Sequence, residues 1–115
     1  MDTGSINKVI LIGHLGGDPD VRYTQTGIPT SSFSLATNEK KIDSNGNEQK
    51  KTEWHRIIAW NKTAEFCEQY LKKGQLIYLE GKIRSREYVD NDGNSKKIVE
   101  ILSNHIIPLH WKSDK

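Results

Sequence analysis

The sequence predicts a mainly-β domain, five short strands closed into a small barrel with one helix between the third and fourth strands. Three observations carry this. Apolar and polar residues alternate along five segments. Two of the polar stretches between them hold an Asn-Gly or Asp-Gly pair, the strongest short hairpin signal. One segment alone changes to a spacing of three and four.

INKVILIGHL (Ile6–Leu15) alternates and is rich in β-branched residues, which makes it the first strand. GGDPD breaks it, because Gly16, Gly17 and Pro19 are turn residues. IPTSSFSLAT (Ile28–Thr37) is the second strand, with Phe33, Leu35 and Thr37 on one face. KKIDSNGNEQKK (Lys40–Lys51) is a polar turn around Asn45-Gly46, and TEWHRIIAW (Thr52–Trp60) is the third strand. NKTAEFCEQYLKKG (Asn61–Gly74) spaces Ala64, Cys67 and Leu71 for one helical face. A polar cap at Asn61 or Thr63, lysines in the last turn and Gly74 beyond it bound a short helix. QLIYLEGKIRSREYV (Gln75–Val89) returns to period two, and DNDGN (Asp90–Asn94) turns the chain. KKIVEILSNHII (Lys96–Ile107) is the last strand, ended by Pro108. This order is that of the five-stranded OB-fold, a Greek-key barrel whose closure spares short strands their exposed edges. Residues 1–108 make up the domain, and 109–115 are expected to form a loose end.

At 115 residues there is room for one domain with one core, and with 34% apolar residues that core is small. A single cysteine, Cys67, forbids an internal disulfide and excludes a Cys-rich zinc site. The four histidines have no metal-ligand spacing, so no metal and no cofactor is expected. MDTGSINK has no apolar run to make a signal peptide, and nothing approaches the roughly 18 apolar residues of a membrane span. A soluble cytoplasmic protein is expected. No Ser-His-Asp order, nucleotide-binding glycine loop or metal cluster supports an enzyme. Net charge is +2, from 17 basic and 15 acidic side chains, so any nucleic-acid reading rests on where the charges lie.

Alternation locates them. In TEWHRIIAW, Trp54, Arg56, Ile58 and Trp60 share one face, and His55, Ile57 and Ala59 the other. In the fourth strand Ile77, Leu79, Gly81, Ile83 and Val89 share a face, opposite Tyr78, Glu80, Lys82, Arg84, Arg86 and Tyr88. Three cations in alternate positions cannot face a dry core, since a buried unpaired charge costs several kcal/mol. Two tryptophans on an open strand call for a partner to cover them. Single-stranded nucleic acid suits both, because its bases stack on flat rings and its phosphates pair with cations. A tryptophan in a barrel is also commonly core, and alternating cations commonly a solvated face. On the pattern alone both readings stay open.

NKVILIGHLGGDPDVRY, SLAT, TEWHRIIAW and EQYLKKGQLIYLEGKIRSREY together strongly resemble the bacterial-type single-stranded DNA-binding proteins, homotetrameric OB-fold proteins, from about Ile6 to Ile101. TEWHR and YLEGKIRSREY are specific as a pair; SLAT alone is weak. The resemblance implies base stacking on Trp54, on Trp60, where the family often has phenylalanine, and on Tyr88, where many members have tryptophan. It implies basic positions along the DNA path at Lys8, Arg56, Lys62, Lys73, Arg84 and Arg86. Lys82 joins them from the alternation, and Lys40, Lys41, Lys50 and Lys51 are weaker contacts in the loop. His55 and Tyr78 match subunit contacts in a dimer of dimers, with an ordinary inward-facing histidine as the plainer reading of His55.

Two departures stand out. Where some members carry a further stacking tryptophan after SLAT, this chain has NEKK, which supplies charge without a platform. Members usually continue through a Gly- and Pro-rich linker to an acidic tip that recruits replication and repair enzymes; this sequence has no such tip, and recruitment stays open. The implied function is sequence-independent binding and protection of single-stranded DNA in replication, recombination and repair, in the cytoplasm at the nucleoid. The rivals are a primosome-type OB-fold accessory factor, and a structural subunit that uses the tryptophan face for protein contacts.

Overall fold

The computed structural model describes residues 4–110. Its elements are β1 (Val9–Leu15), β2 (Asp20–Tyr23), β3 (Pro29–Ile42), β4 (Glu48–Trp60), α1 (Asn61–Tyr70), β5 (Leu76–Val89) and β6 (Ser95–His110). The strands run in the order β1-β5-β6-β4-β3-β2, and β1 also pairs with β3. That pairing closes β1-β5-β6-β4-β3 into the expected five-stranded OB-fold barrel. β4 and β6 are parallel and the other pairs antiparallel, as Greek-key connections require. Gly13 sits at the closure, where a side chain would run into the Ala36 carbonyl.

Alternation fills the core. Leu15, Phe33, Leu35, Ile57, Ala59, Ile77, Leu79, Ile101 and Ile106 point inward, and α1 seals one end with Cys67, Leu71 behind it. Burial pushes the Cys67 thiol up to about 11. Among the described residues no helix is long and apolar enough to cross a membrane.

Several expectations need correction. β2 is a strand that the turn residues before it masked; at four residues its alternation is too short to read. β3 and β4 run on through the polar stretch, leaving a tight turn at 43–47. There Asp43 Oδ1 accepts from the Asn45 and Asn47 amides, both at 2.9 Å, and Asp90 holds the Asp92 and Asn94 amides in the same way. The helix has no side-chain cap and stops at Tyr70, so the lysines fall outside it. β6 does not end at Pro108; it continues to His110. A register shift beside Pro108, which pairs with Ile77, takes up the missing amide. Most of the loose end expected from 109 lies outside the described residues.

The expected inner face of β5 also fails beyond Gly81: Ile83 is 53% exposed and Val89 70%. At about 3.3 Å per residue, strands of 14 and 16 residues outrun so small a barrel. A bulge lies between Glu80 and Gly81, and beyond the Ile57–Ile101 and Ile58–Leu102 pairs that still hold β6 to β4, β5 and β6 run on as a projecting arm. The radius of gyration, 16.7 Å, exceeds the ~13 Å of a compact chain near this length for the same reason.

Candidate nucleic-acid interface

On β4 the inward set His55, Ile57, Ala59 turns its neighbours outward. Trp54 is 58% exposed and Trp60 38%, with Arg56 between them. Ile58 shares that face but is buried where β6 crosses, through the Ile58–Leu102 pair. Beside Trp54 lies a cleft of about 510 Å³ lined by Gly16, Gly17, Asp18, Phe33 and Arg56. A Cβ on Gly16 would meet the Trp54 ring at 2.5 Å, so the ring rests directly on the Gly16 backbone. Sequence reasoning took Gly16 only as a turn residue.

β6 lies between β4 and β5 and carries Glu100 into the middle of this face. The Glu100 side chain is 0% exposed. Its Oε1 accepts from Arg84 Nη2 at 2.7 Å and from Arg86 Nε at 3.0 Å, and its Oε2 accepts from Arg56 Nε at 3.2 Å. Burial pushes the Glu100 carboxyl up, but the hydrogen bonds from the three arginines outweigh it and leave it below the usual carboxylate range. Three guanidiniums against one carboxylate leave a surplus of positive charge, and each arginine stays a third to a half exposed. Alternation puts Arg56 beside Trp54 on β4 and Arg84 and Arg86 on the outward side of β5, the sides they occupy; it does not reveal Glu100, whose contact with Arg56 depends on a parallel β4–β6 pairing that no sequence period announces.

The other predicted residues fall around this centre. Tyr88, 46% exposed, continues the Arg84–Arg86 face onto the arm, opposite Lys96. Lys82 and Lys8 line a second cleft, of about 410 Å³, with Lys8 held 3.3 Å from Glu80. Lys62 is exposed on the first turn of α1, and Lys73 follows α1, its amide donating to Asp18 at 2.8 Å beside the Trp54 cleft. Lys40, Lys41, Lys50 and Lys51 are exposed on the β3–β4 hairpin, away from the arginine cluster, and Lys40 lies 3.8 Å from Glu48.

The two residues expected at subunit contacts stand apart from the arginine cluster. His55 is half-buried, its Nε2 2.9 Å from the Thr37 hydroxyl. Tyr78 donates to Glu80, which holds that carboxyl below its usual range and the phenol above its own. In register with Tyr78 are Ile12 on β1 and Ile107 on β6, which with Ile10 make an exposed apolar patch on the outer face.

Residues 6–109 match the single-strand binding protein family. The single-stranded DNA-binding protein 1 of Chlorobaculum tepidum is 53% identical over 92 residues, 80% of this chain and 57% of that protein. The single-stranded DNA-binding protein of Neisseria meningitidis serogroup B is 50% identical over 110 residues, 96% of this chain and 63% of that protein. The chain thus spans about three fifths of the length of these relatives. Among solved structures, Plasmodium falciparum SSB in complex with ssDNA superposes with a TM-score of 0.86 at 34% identity, covering 96% of this chain and 100% of that one. A deletion mutant of the Thermus aquaticus single-stranded DNA-binding protein gives a TM-score of 0.78 at 35% identity, over 91% of this chain and 51% of that one. Closed barrel, outward rings and sequence match run together along nearly the whole chain, which belongs to the single-strand binding protein family.

Proposed function

We propose that this chain binds and protects single-stranded DNA without regard to sequence and without catalysis, in replication, recombination and repair. Bases stack on Trp54, Trp60 and Tyr88, and the backbone runs across Arg56, Lys82, Arg84 and Arg86, with Lys8, Lys62 and Lys73 along its path. The observation that carries this reading is that exposed rings and cations from β4 and β5 share one outer face across Glu100. A duplex suits such a face poorly, because its bases are already stacked on one another, whereas an unpaired strand offers π-faces and phosphates together. The relatives named for single-stranded DNA binding support it.

The protein acts as a homotetramer, a dimer of dimers, in the cytoplasm. The Ile10, Ile12, Tyr78 and Ile107 patch suits a subunit contact, with His55 near another. An apolar surface apart from Trp54 and Trp60 leaves the ring-bearing face free for DNA, which favours this reading over a structural subunit that assembles through its tryptophans. The test is a titration of oligo-dT against tryptophan fluorescence at low salt. Strong quenching is expected; none would sink the proposal.

A further inference from the structure

We infer that Glu100 is a positioning residue for the DNA backbone: a buried carboxylate that assembles Arg56, Arg84 and Arg86 into one cluster before any ligand arrives. The inference rests on the proposed binding of single-stranded DNA. It runs against the simplest electrostatics, in which an anion on the binding face of a polyanion-binding protein only weakens it.

Three facts support the assembly. The three arginines come from two strands that are not neighbours in the sheet, and Glu100 on the strand between them bonds all three. The carboxylate is fully covered, so it cannot swing away or be screened by salt as a surface pair is. Each guanidinium gives one of its five N–H donors to Glu100; the Arg84 Nε–H is buried without a partner, and the donors on the exposed parts of the three side chains are left for an outside acceptor. Without the carboxylate, three like charges at this spacing repel, and each long side chain regains its rotamer freedom. A phosphate would then have to gather them at its own cost. With the carboxylate, positive charge remains in surplus and the three guanidiniums are already gathered about one point, where their planar forks suit bidentate contacts to phosphate.

Glu100→Gln keeps the shape and removes the charge. Oligo-dT titrations of the wild type and this variant, each at several salt concentrations and with thermal unfolding run alongside, decide the matter. Positioning predicts binding about tenfold weaker, although the variant is more positive. It also predicts a log–log salt slope shallower by about 0.7–1.4, the loss of one or two phosphate contacts. A folded variant that binds equally or more tightly with an unchanged slope overturns the inference while leaving DNA binding intact. A wild type that does not bind at low salt removes both. Should the variant fail to fold, NMR of the arginine Nε–H groups in the unliganded wild type decides. Slowly exchanging signals from Arg56 and Arg86, little altered by oligo-dT, support assembly in advance. Signals that emerge only with DNA overturn it.

Discussion

The Trp54 ring lies on the Gly16 backbone so closely that a single methyl at position 16 would meet it at 2.5 Å. A turn glycine between β1 and β2 thus sets the height of an exposed ring on β4. Gly16→Ala leaves the barrel standing, since the obstructed atom is the far end of an exposed side chain and no core residue is displaced. The expected outcome is a thermal midpoint close to wild type with oligo-dT affinity about fivefold lower, as the ring is tilted from its stacking position. Fluorescence titration and thermal unfolding of the same sample separate the two effects.

Trp54 is the most exposed of the three proposed stacking rings, and Trp60 the least. Alanine at Trp54 is expected to weaken oligo-dT binding by about 1–3 kcal/mol, and alanine at Trp60 by an amount nearer the lower end. Both variants should keep the wild-type oligomeric mass by light scattering. Lost assembly with intact DNA binding would instead point to the tryptophan face as a protein interface.

Affinity should fall linearly with log salt, at about −0.7 per phosphate contacted. Arg84→Met and Arg86→Met should each reduce that slope, whereas Lys40→Met and Lys41→Met, on a hairpin away from the cluster, should change it less. Titrations at four or five salt concentrations read this directly.

The Glu100 carboxyl sits below its ordinary range in the folded protein, so the unfolded chain takes up its proton first as pH falls. Its contribution to stability is therefore complete above about pH 4.3, the ordinary glutamate value, and is lost as pH drops through the lower folded value. Thermal unfolding between about pH 3 and pH 6 should show the midpoint falling toward acid, and Glu100→Gln should flatten that dependence.

Cys67 is covered by the core, and its thiol is raised to about 11. A thiol-reactive dye at pH 8 should leave the native protein unlabelled and react fully once denaturant is added, because the nucleophile is the thiolate. Labelling of the folded protein would mean that α1 lifts off the barrel end.

The two-residue period exposed the barrel, the inward face of β4 and the outward rings, because side-chain direction in a strand is decided locally. It misjudged extent. Ile83 and Val89 keep the correct parity on β5 but lie past the Val9–Gly81 pair, where β1 no longer flanks the strand. The polar residues of β3 and β4 hid strand because hairpin pairing requires backbone bonds and not apolar side chains. Glu100 and Gly16 stayed hidden for another reason: each acts on a residue more than thirty positions away, and only the closed fold brings them together.

The ring of strands has two clasps. β5 and β6 run side by side for almost their whole length, as do β3 and β4, but β1 meets β3 through His14–Ala36 and Leu15–Leu35, and β4 meets β6 through Ile57–Ile101 and Ile58–Leu102, fastenings two residue pairs long. Mechanical pulling or mild denaturant will part the cylinder at these two seams first, with its hairpins still zipped, and amide protons there will be the earliest in the barrel to exchange.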